Sequence, residues 1–216
     1  RWLGTWTDIT AQKLSEDQQA DLVSAMTKRA IQLQTAAEVS RAASSTLDLE
    51  ELLTTVVELI RSHFNYYYVG IFLLNEGGTF AILKAATGEA GKRLIEAHHK
   101  LDMDVPSMVG WSITHRTARI ALDVGEDAVH FKNPRLPLTR SEITLPLLSR
   151  GKIIGAMTNQ SELPSAFSNA DVTALQTMAD QIANAISNAQ LFSERLDLVK
   201  ELERKNVELE RFTYTV

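Results

Sequence analysis

Residues able to do chemistry are few in this chain, and their spacing narrows what they can do. The 216 residues include five histidines and no cysteine. A chain without a thiol has no thiolate nucleophile, no Cys-ligated zinc, no disulfide and no point for thioether attachment of a cofactor. The histidines, His63, His98, His99, His115 and His130, form no His-Glu-x-x-His pattern. Adjacent His98 and His99 would point apart on a helix, and His130 could join Glu126 and Asp127 in a metal site only through loop geometry. No metal is expected. Gly88-Glu89-Ala90-Gly91-Lys92-Arg93 resembles a degenerate phosphate loop. It has two residues between its glycines rather than four, and Arg93 stands where a hydroxyl would meet magnesium, so it reads as a loop entering a helix. Serines and threonines are common, but no Gly-x-Ser-x-Gly elbow exposes one. Asp102, Asp104 and the Glu126-Asp127 pair read as solvated loop carboxylates. No catalytic centre is expected.

Charge excludes another class. The formal net charge is −5, whereas binding nucleic acid through its phosphates requires an excess of Lys and Arg. No apolar run approaches the roughly 18 residues that span a bilayer, and Arg1–Thr10 lacks the pattern of a secretory signal. With no cysteine either, a cytoplasmic location is expected, with no insertion into membrane. With no initiator Met, an excised fragment is expected.

The elements that would position these side chains follow from periodicity. Leu14–Ser45 contains no Gly or Pro, and Leu22, Met26, Arg29, Leu33 and Ala36 recur at coiled-coil steps. Asp48, with Glu51 three residues on, predicts a capping box. Leu49, Leu52, Leu53, Val56, Val57, Ile60 and Phe64 then line one helix face. Tyr66–Leu74 and Phe80–Ala86 predict a hairpin around Asn75-Glu76-Gly77-Gly78. Arg119–Asp123 is a short strand, and Ile143–Leu148 with Ile153–Asn159 a second hairpin. Pro146 cannot donate to a ladder, so it requires an edge or a bulge. Thr87–Glu142 reads as one long connection, of the kind that carries function.

A last helix starts at Ser168 and runs without Gly or Pro to the end of the chain, about 70 Å if continuous. Its apolar face is broad at first, with Val172, Leu175, Met178, Ala179, Ile182 and Ile186. It then narrows to a seam, Val199, Leu202, Asn206 and Leu209, with a final turn at Thr213 and Val216. Asn206 at an a-type position favours a parallel, in-register dimer, since a mismatched partner would leave its amide unpaired. A homodimer through the flanking helices is expected.

The central block resembles the GAF family over about Leu47 to Gln190. The resemblance is carried by Leu49–Phe64 leading into Tyr67–Leu74, by Val109-Gly110-Trp111, by Arg119–Val124 and by Thr139-Arg140-Ser141-Glu142 before Leu145-Pro146-Leu147. Gly151–Ala156 and Ala166-Phe167-Ser168 complete it. It implies an α+β fold with a central antiparallel sheet of about five or six strands. The N- and C-terminal helices pack on one face, and loops on the other enclose a small-molecule pocket. The walls would fall at Trp111, His115, Asp123, Asn133, Arg140 and Glu142. Trp111 would stack on a planar ligand, while Asp123, Asn133 and Arg140 orient it. Two departures matter. A covalent bilin is impossible without cysteine, and the Asn-Lys-x(n)-Phe-x(3)-Asp-Glu signature of cyclic-nucleotide-binding members is absent. The cofactor, if any, is unspecified.

Arg1–Thr10 resembles the closing strand and exit of a PAS domain. Arg211-Phe212-Thr213-Tyr214-Thr215-Val216 resembles the residues just before the phosphoacceptor box of a two-component histidine kinase. The implied layout is a PAS-like end at 1–12, a signalling helix at 13–46, the GAF domain at 47–190 and a coiled-coil linker at 191–216 that leads to a kinase core. The expected function is sensing a small ligand or relaying a PAS signal. The alternatives are a ligand-free dimerising spacer and, less favoured, a small-molecule enzyme domain.

Overall fold

The computed structural model describes residues 10–124 and 133–213. Residues 1–9 of the stretch assigned to a PAS exit, the Glu126-Asp127-His130 cluster and the last three residues lie outside the described residues. Helix α1 (Thr10–Ser45) is followed by α2 (Leu49–Phe64), β1 (Tyr68–Leu74), β2 (Phe80–Ala86), α3 (Gly88–Glu96), β3 (Lys100–Asp102) and α4 (Met108–His115). Strands β4 (Arg119–Ala121), β5 (Ser141–Ser149) and β6 (Lys152–Ser161) precede α5 (Asn169–Thr213). The six strands form one antiparallel sheet in the order β3-β2-β1-β6-β5-β4. The fold is α+β.

Local chemistry sets the element ends. Asp48 caps α2 by accepting a hydrogen bond from the Glu51 backbone N–H at 2.9 Å. The reciprocal half of the expected box is replaced: Glu51 accepts from the Thr46 hydroxyl, and Thr46 also takes the Asp48 N–H. The box forms fully at α5. There the Ser168 N–H and hydroxyl donate to Asp171 at 2.9 and 2.7 Å, and the Asp171 N–H points back to the Ser168 hydroxyl. Arg150 and Gly151 join β5 to β6 in a two-residue turn with φ of 51° and 77°, the doubly left-handed geometry that matches strand twist. Pro146 lies beyond the reach of β4, which pairs only with Glu142, Ile143 and Thr144. Its missing N–H is therefore tolerated inside an otherwise central strand.

The expected long connection from Thr87 to Glu142 is largely regular. It holds α3, β3, α4 and β4. Of these, β4 was expected as the short strand at Arg119–Asp123; β3 and α4 escaped the sequence reading because they are short, and α4 has buried residues on most of its circumference rather than a helical stripe.

Two apolar layers flank the sheet. On one face α1, α2 and α5 cover Val69, Ile71, Ile143, Leu145, Leu147 and Met157 with Leu52, Val56, Ile60, Leu175, Ile182 and Ile186. On the other, α3, α4 and the segment around Leu136 cover Phe72, Leu83 and Ala156. Helix α1 docks by a mixed stripe, Gln32, Thr35 and Val39, all buried. Of its expected seam, Ala36 packs on this core, while Leu22, Met26 and Leu33 are exposed.

Helices α1 and α5 run in the same direction. Lys28 pairs with Asp171 at 2.7 Å, and Leu47, just past the end of α1, lies with Asn188, Leu191 and Phe192 beside one shallow groove. Lys13–Glu16 and Gln18–Ala30 of α1 are exposed throughout, as are the described side chains of α5 from Leu191 onward. The first half of α1 and the second half of α5 thus project from opposite ends of the sheet.

Candidate ligand pocket

Strand pairing brings the polar side chains together. On the face away from the long helices, Tyr68 of β1, Gln160 of β6 and Glu142 of β5 occupy one rung across three strands. The next rung is Gly70, Thr158 and Thr144, and the third is Phe72, Ala156 and Pro146. Side chains two residues apart share a face, so two polar rungs and one apolar rung form a continuous floor. Gly70 leaves the room that Tyr68 fills: a Cβ at Gly70 would lie 2.8 Å from the Tyr68 hydroxyl.

Burial makes these groups costly to leave unpaired, and they pair. Glu142 is 4% exposed, and its Oε1 accepts from the Thr158 hydroxyl at 2.6 Å and from the Thr144 hydroxyl at 3.1 Å. Gln160 accepts from Thr139 at 2.6 Å. The Tyr68 phenol is held neutral well above its ordinary range, first by burial and then by the charge of Glu142. Above this floor lies a cavity of about 40 Å³, lined by Phe72, Leu101, Met108, Val109 and Leu136 together with Ser107, His99 and Asn133. Burial, and next the charge of Arg135, lower the His99 pKa, so the ring is neutral at neutral pH. Ser107 fixes the near end of α4 by accepting the Gly110 N–H at 2.9 Å.

Of the six side chains expected at a pocket, Asn133 and Glu142 line this cavity and four do not. Trp111 stacks on His115, ring centroids 4.1 Å apart, with the Arg119 guanidinium 4.8 Å from the Trp111 ring. Their helix turns Met108 and Val109 inward instead. Arg140 donates to Asp123 at 2.9 Å, an ion pair at the surface beside the sheet edge. The alternation of Tyr68-Gly70-Phe72, Glu142-Thr144 and Thr158-Gln160 was the signal for the floor, since polar residues at period two inside apolar strands must share a face.

Another space is larger but less suited to capture. A groove of about 430 Å³ lies between α1, the end of α2 and the start of α5, beside His63, Tyr66 and Asp171. It is open, and Asp171 is already engaged by Lys28 and Ser168. Burial alone would raise the Asp171 pKa, yet these hydrogen bonds and the Lys28 charge hold it below its ordinary value. Among the described residues no group of three His, Asp or Glu side chains could hold a metal ion, and no helix is long and apolar enough to cross a membrane.

A family model described as GAF domain matches residues 46–187. The chain belongs to the GAF domain family. Solved structures share the fold at low identity. A free methionine-R-sulfoxide reductase from Neisseria meningitidis, in complex with its substrate, is 20% identical with a TM-score of 0.67, over 76% of this chain and 93% of that one. The GAF domain of an Acinetobacter phosphoenolpyruvate-protein phosphotransferase is also 20% identical, with a TM-score of 0.64 over 76% and 97%. That of the Coxiella burnetii phosphotransferase is 17% identical, with a TM-score of 0.67 over 76% and 96%. No curated protein is significantly similar in sequence. GAF domains are in general sensory or regulatory modules.

Proposed function

We propose that this GAF domain senses a small molecule in the cavity above the Tyr68–Gln160–Glu142 rung and relays its occupancy through α1 and α5. The observation that carries the reading is the sheet's division of labour. One face holds a partly empty, polar-floored cavity; the other holds two parallel helices that leave at opposite ends. Strands shared by both faces couple them, and a ligand biases the helices by binding one packing arrangement more tightly than another.

The finer reading is a relay segment of a PAS–GAF histidine kinase, acting as a homodimer. Its support is the likeness of Arg1–Thr10 to a PAS exit and of Arg211–Val216 to the approach to a phosphoacceptor box. The exposed Val199, Leu202 and Asn206 support the dimer, because that part of α5 has no domain beneath it to cover its apolar face. The reductase likeness favours a second reading, an enzyme acting on a free sulfoxide. It is the weaker one, because these 216 residues contain no thiol to attack a sulfoxide.

The same lack of cysteine makes a clean test. Leu202→Cys should form an intermolecular disulfide under mild oxidation, since a d-type position faces its own copy in a parallel dimer. A small-molecule screen read by thermal shift should yield a saturable stabiliser, and that ligand should change the cross-linking rate. No cross-link, or a ligand that stabilises without altering the rate, would refute the relay.

A further inference from the structure

Granting that sensing reading, we infer that Leu136 stands in the ligand's place, and that an apolar group of about seven heavy atoms binds by displacing its side chain. Three observations carry this. Leu136 is 6% exposed, whereas Pro134, Arg135, Pro137 and Leu138 around it are exposed, so the segment 133–138 is held down chiefly by one side chain. Among the described residues, hydrogen bonds do not tie that segment to the sheet. The Leu136 and Arg135 N–H groups donate to the Asn133 backbone oxygen and Oδ1, both at 2.9 Å, and Pro134 and Pro137 have no N–H to give. Anchoring begins only at Thr139 and Arg140, whose hydroxyl and backbone N–H donate to Gln160 and to the Ser161 carbonyl at 2.6 and 2.8 Å. Lastly, Leu136 leaves space: it lines the cavity of about 40 Å³ with Phe72, Leu101, Met108 and Val109, so its packing against these walls is incomplete.

Size and lining give the class. The isobutyl side chain of Leu136 yields the room of its own carbons, and at roughly 10–15 Å³ for each water-sized group the empty 40 Å³ adds about three more, about seven heavy atoms in all. That is a six-membered ring with one substituent, or a branched chain of the same bulk. Phe72, Leu101, Met108 and Val109 are apolar, so the group that replaces Leu136 recovers the burial that Leu136 gives up. The exchange also moves the segment 133–138, which leads into β5, and α5 packs on the other face of that strand through Leu145 and Leu147. Occupancy thereby enters the strand that carries the outgoing helix.

The test uses the whole chain, with cyclohexanol and benzyl alcohol as fitting probes and ethanol and glycerol as small and polar ones. Binding is followed through the methyl resonance of Met108, and displacement through the methyl resonances of Leu136. The expected result is saturable binding of the two ring alcohols, with the Leu136 methyls moving to the position of a solvent-exposed leucine. Ethanol and glycerol should bind about tenfold more weakly or worse. Leu136→Ala removes the competitor and should tighten the ring alcohols by roughly tenfold to a hundredfold. Leu101→Ala enlarges the same cavity without freeing the segment and should tighten them less. Ethanol or glycerol binding as tightly as the ring alcohols overturns the ligand class and leaves the sensing reading standing. So, for the displacement, do ring alcohols that bind while the Leu136 methyls stay packed, binding confined to Leu136→Ala, or a Leu136→Ala affinity no better than that of Leu101→Ala. If neither the unaltered chain nor Leu136→Ala binds any probe, the displacement and the sensing reading fall together. Should Leu136→Ala fail to fold, the Leu136 resonances of the unaltered chain decide the matter.

Discussion

On the helix-covered face of the sheet the three middle rungs read Val69–Asn159–Ile143, Ile71–Met157–Leu145 and Leu73–Gly155–Leu147. On the opposite face the same strands present Tyr68–Gln160–Glu142, Gly70–Thr158–Thr144 and Phe72–Ala156–Pro146. The first set is nearly all apolar and closely covered; the second has hydroxyls, an amide and a carboxylate beside a cavity. One face supplies cohesion and the other, on the proposed reading, recognition. Because both are cut from the same three strands, a shift in one cannot be isolated from the other.

The largest expected effect tests cohesion. Leu145 is fully buried beneath the helices, so Leu145→Ala should cost about 2–5 kcal/mol of unfolding free energy in urea titration. A cost below 1 kcal/mol would mean the helix layer is looser than its burial implies. Next is the anchor of α1. Lys28→Met leaves the buried Asp171 carboxylate without its cation; with Lys28 half-exposed, a loss of about 1–2 kcal/mol is expected, and faster hydrogen exchange should be confined to α1 and the first turn of α5. Global unfolding without that local signature would contradict the anchor.

The third prediction concerns the exception on the cohesive face. Asn159 is fully buried, and neither atom of its side-chain amide has a hydrogen-bond partner among the described residues. Replacing an unpaired polar group by an apolar one of similar size removes a desolvation penalty, so Asn159→Leu should stabilise the fold by about 1 kcal/mol in the same titration. A loss of stability instead would show that this rung does more than cohere. The smallest effect lies on the recognition face. Burial, and then Arg135, depress the His99 pKa in the folded state, so the folded form takes up a proton less readily than the unfolded one. Stability should fall as pH drops below the unfolded value of about 6.5. His99→Gln should flatten that part of the curve, as followed by thermal unfolding between pH 7 and pH 5.

The cohesive face was the more legible of the two in the sequence. Leu49–Phe64 and Val172–Ile186 carry helical periodicity strong enough to name the buried side chains, and Pro146 announced its own exception. The recognition face was half legible. Glu142 and Asn133 could be placed, but Tyr68 and Gln160 meet only through the pairing of β1 with β6, and register between strands so distant in sequence is not written locally. Trp111 and His115 lie away from this cavity for a different reason. Which way they point depends on the rotation of α4 about its own axis, and a helix apolar on most sides gives no clue to that angle.

The shared direction of α1 and α5 has a consequence for architecture. A chain that departs in the direction it arrived can be repeated end to end, so that copies strung in tandem all keep one polarity. Modules of this kind can be added or removed between an input and an output without turning the output around. What remains constrained is angle rather than length. A helix turns about 100° per residue, so a seven-residue insertion after Leu191 keeps nearly the same face forward, while two residues swing it by about 200°.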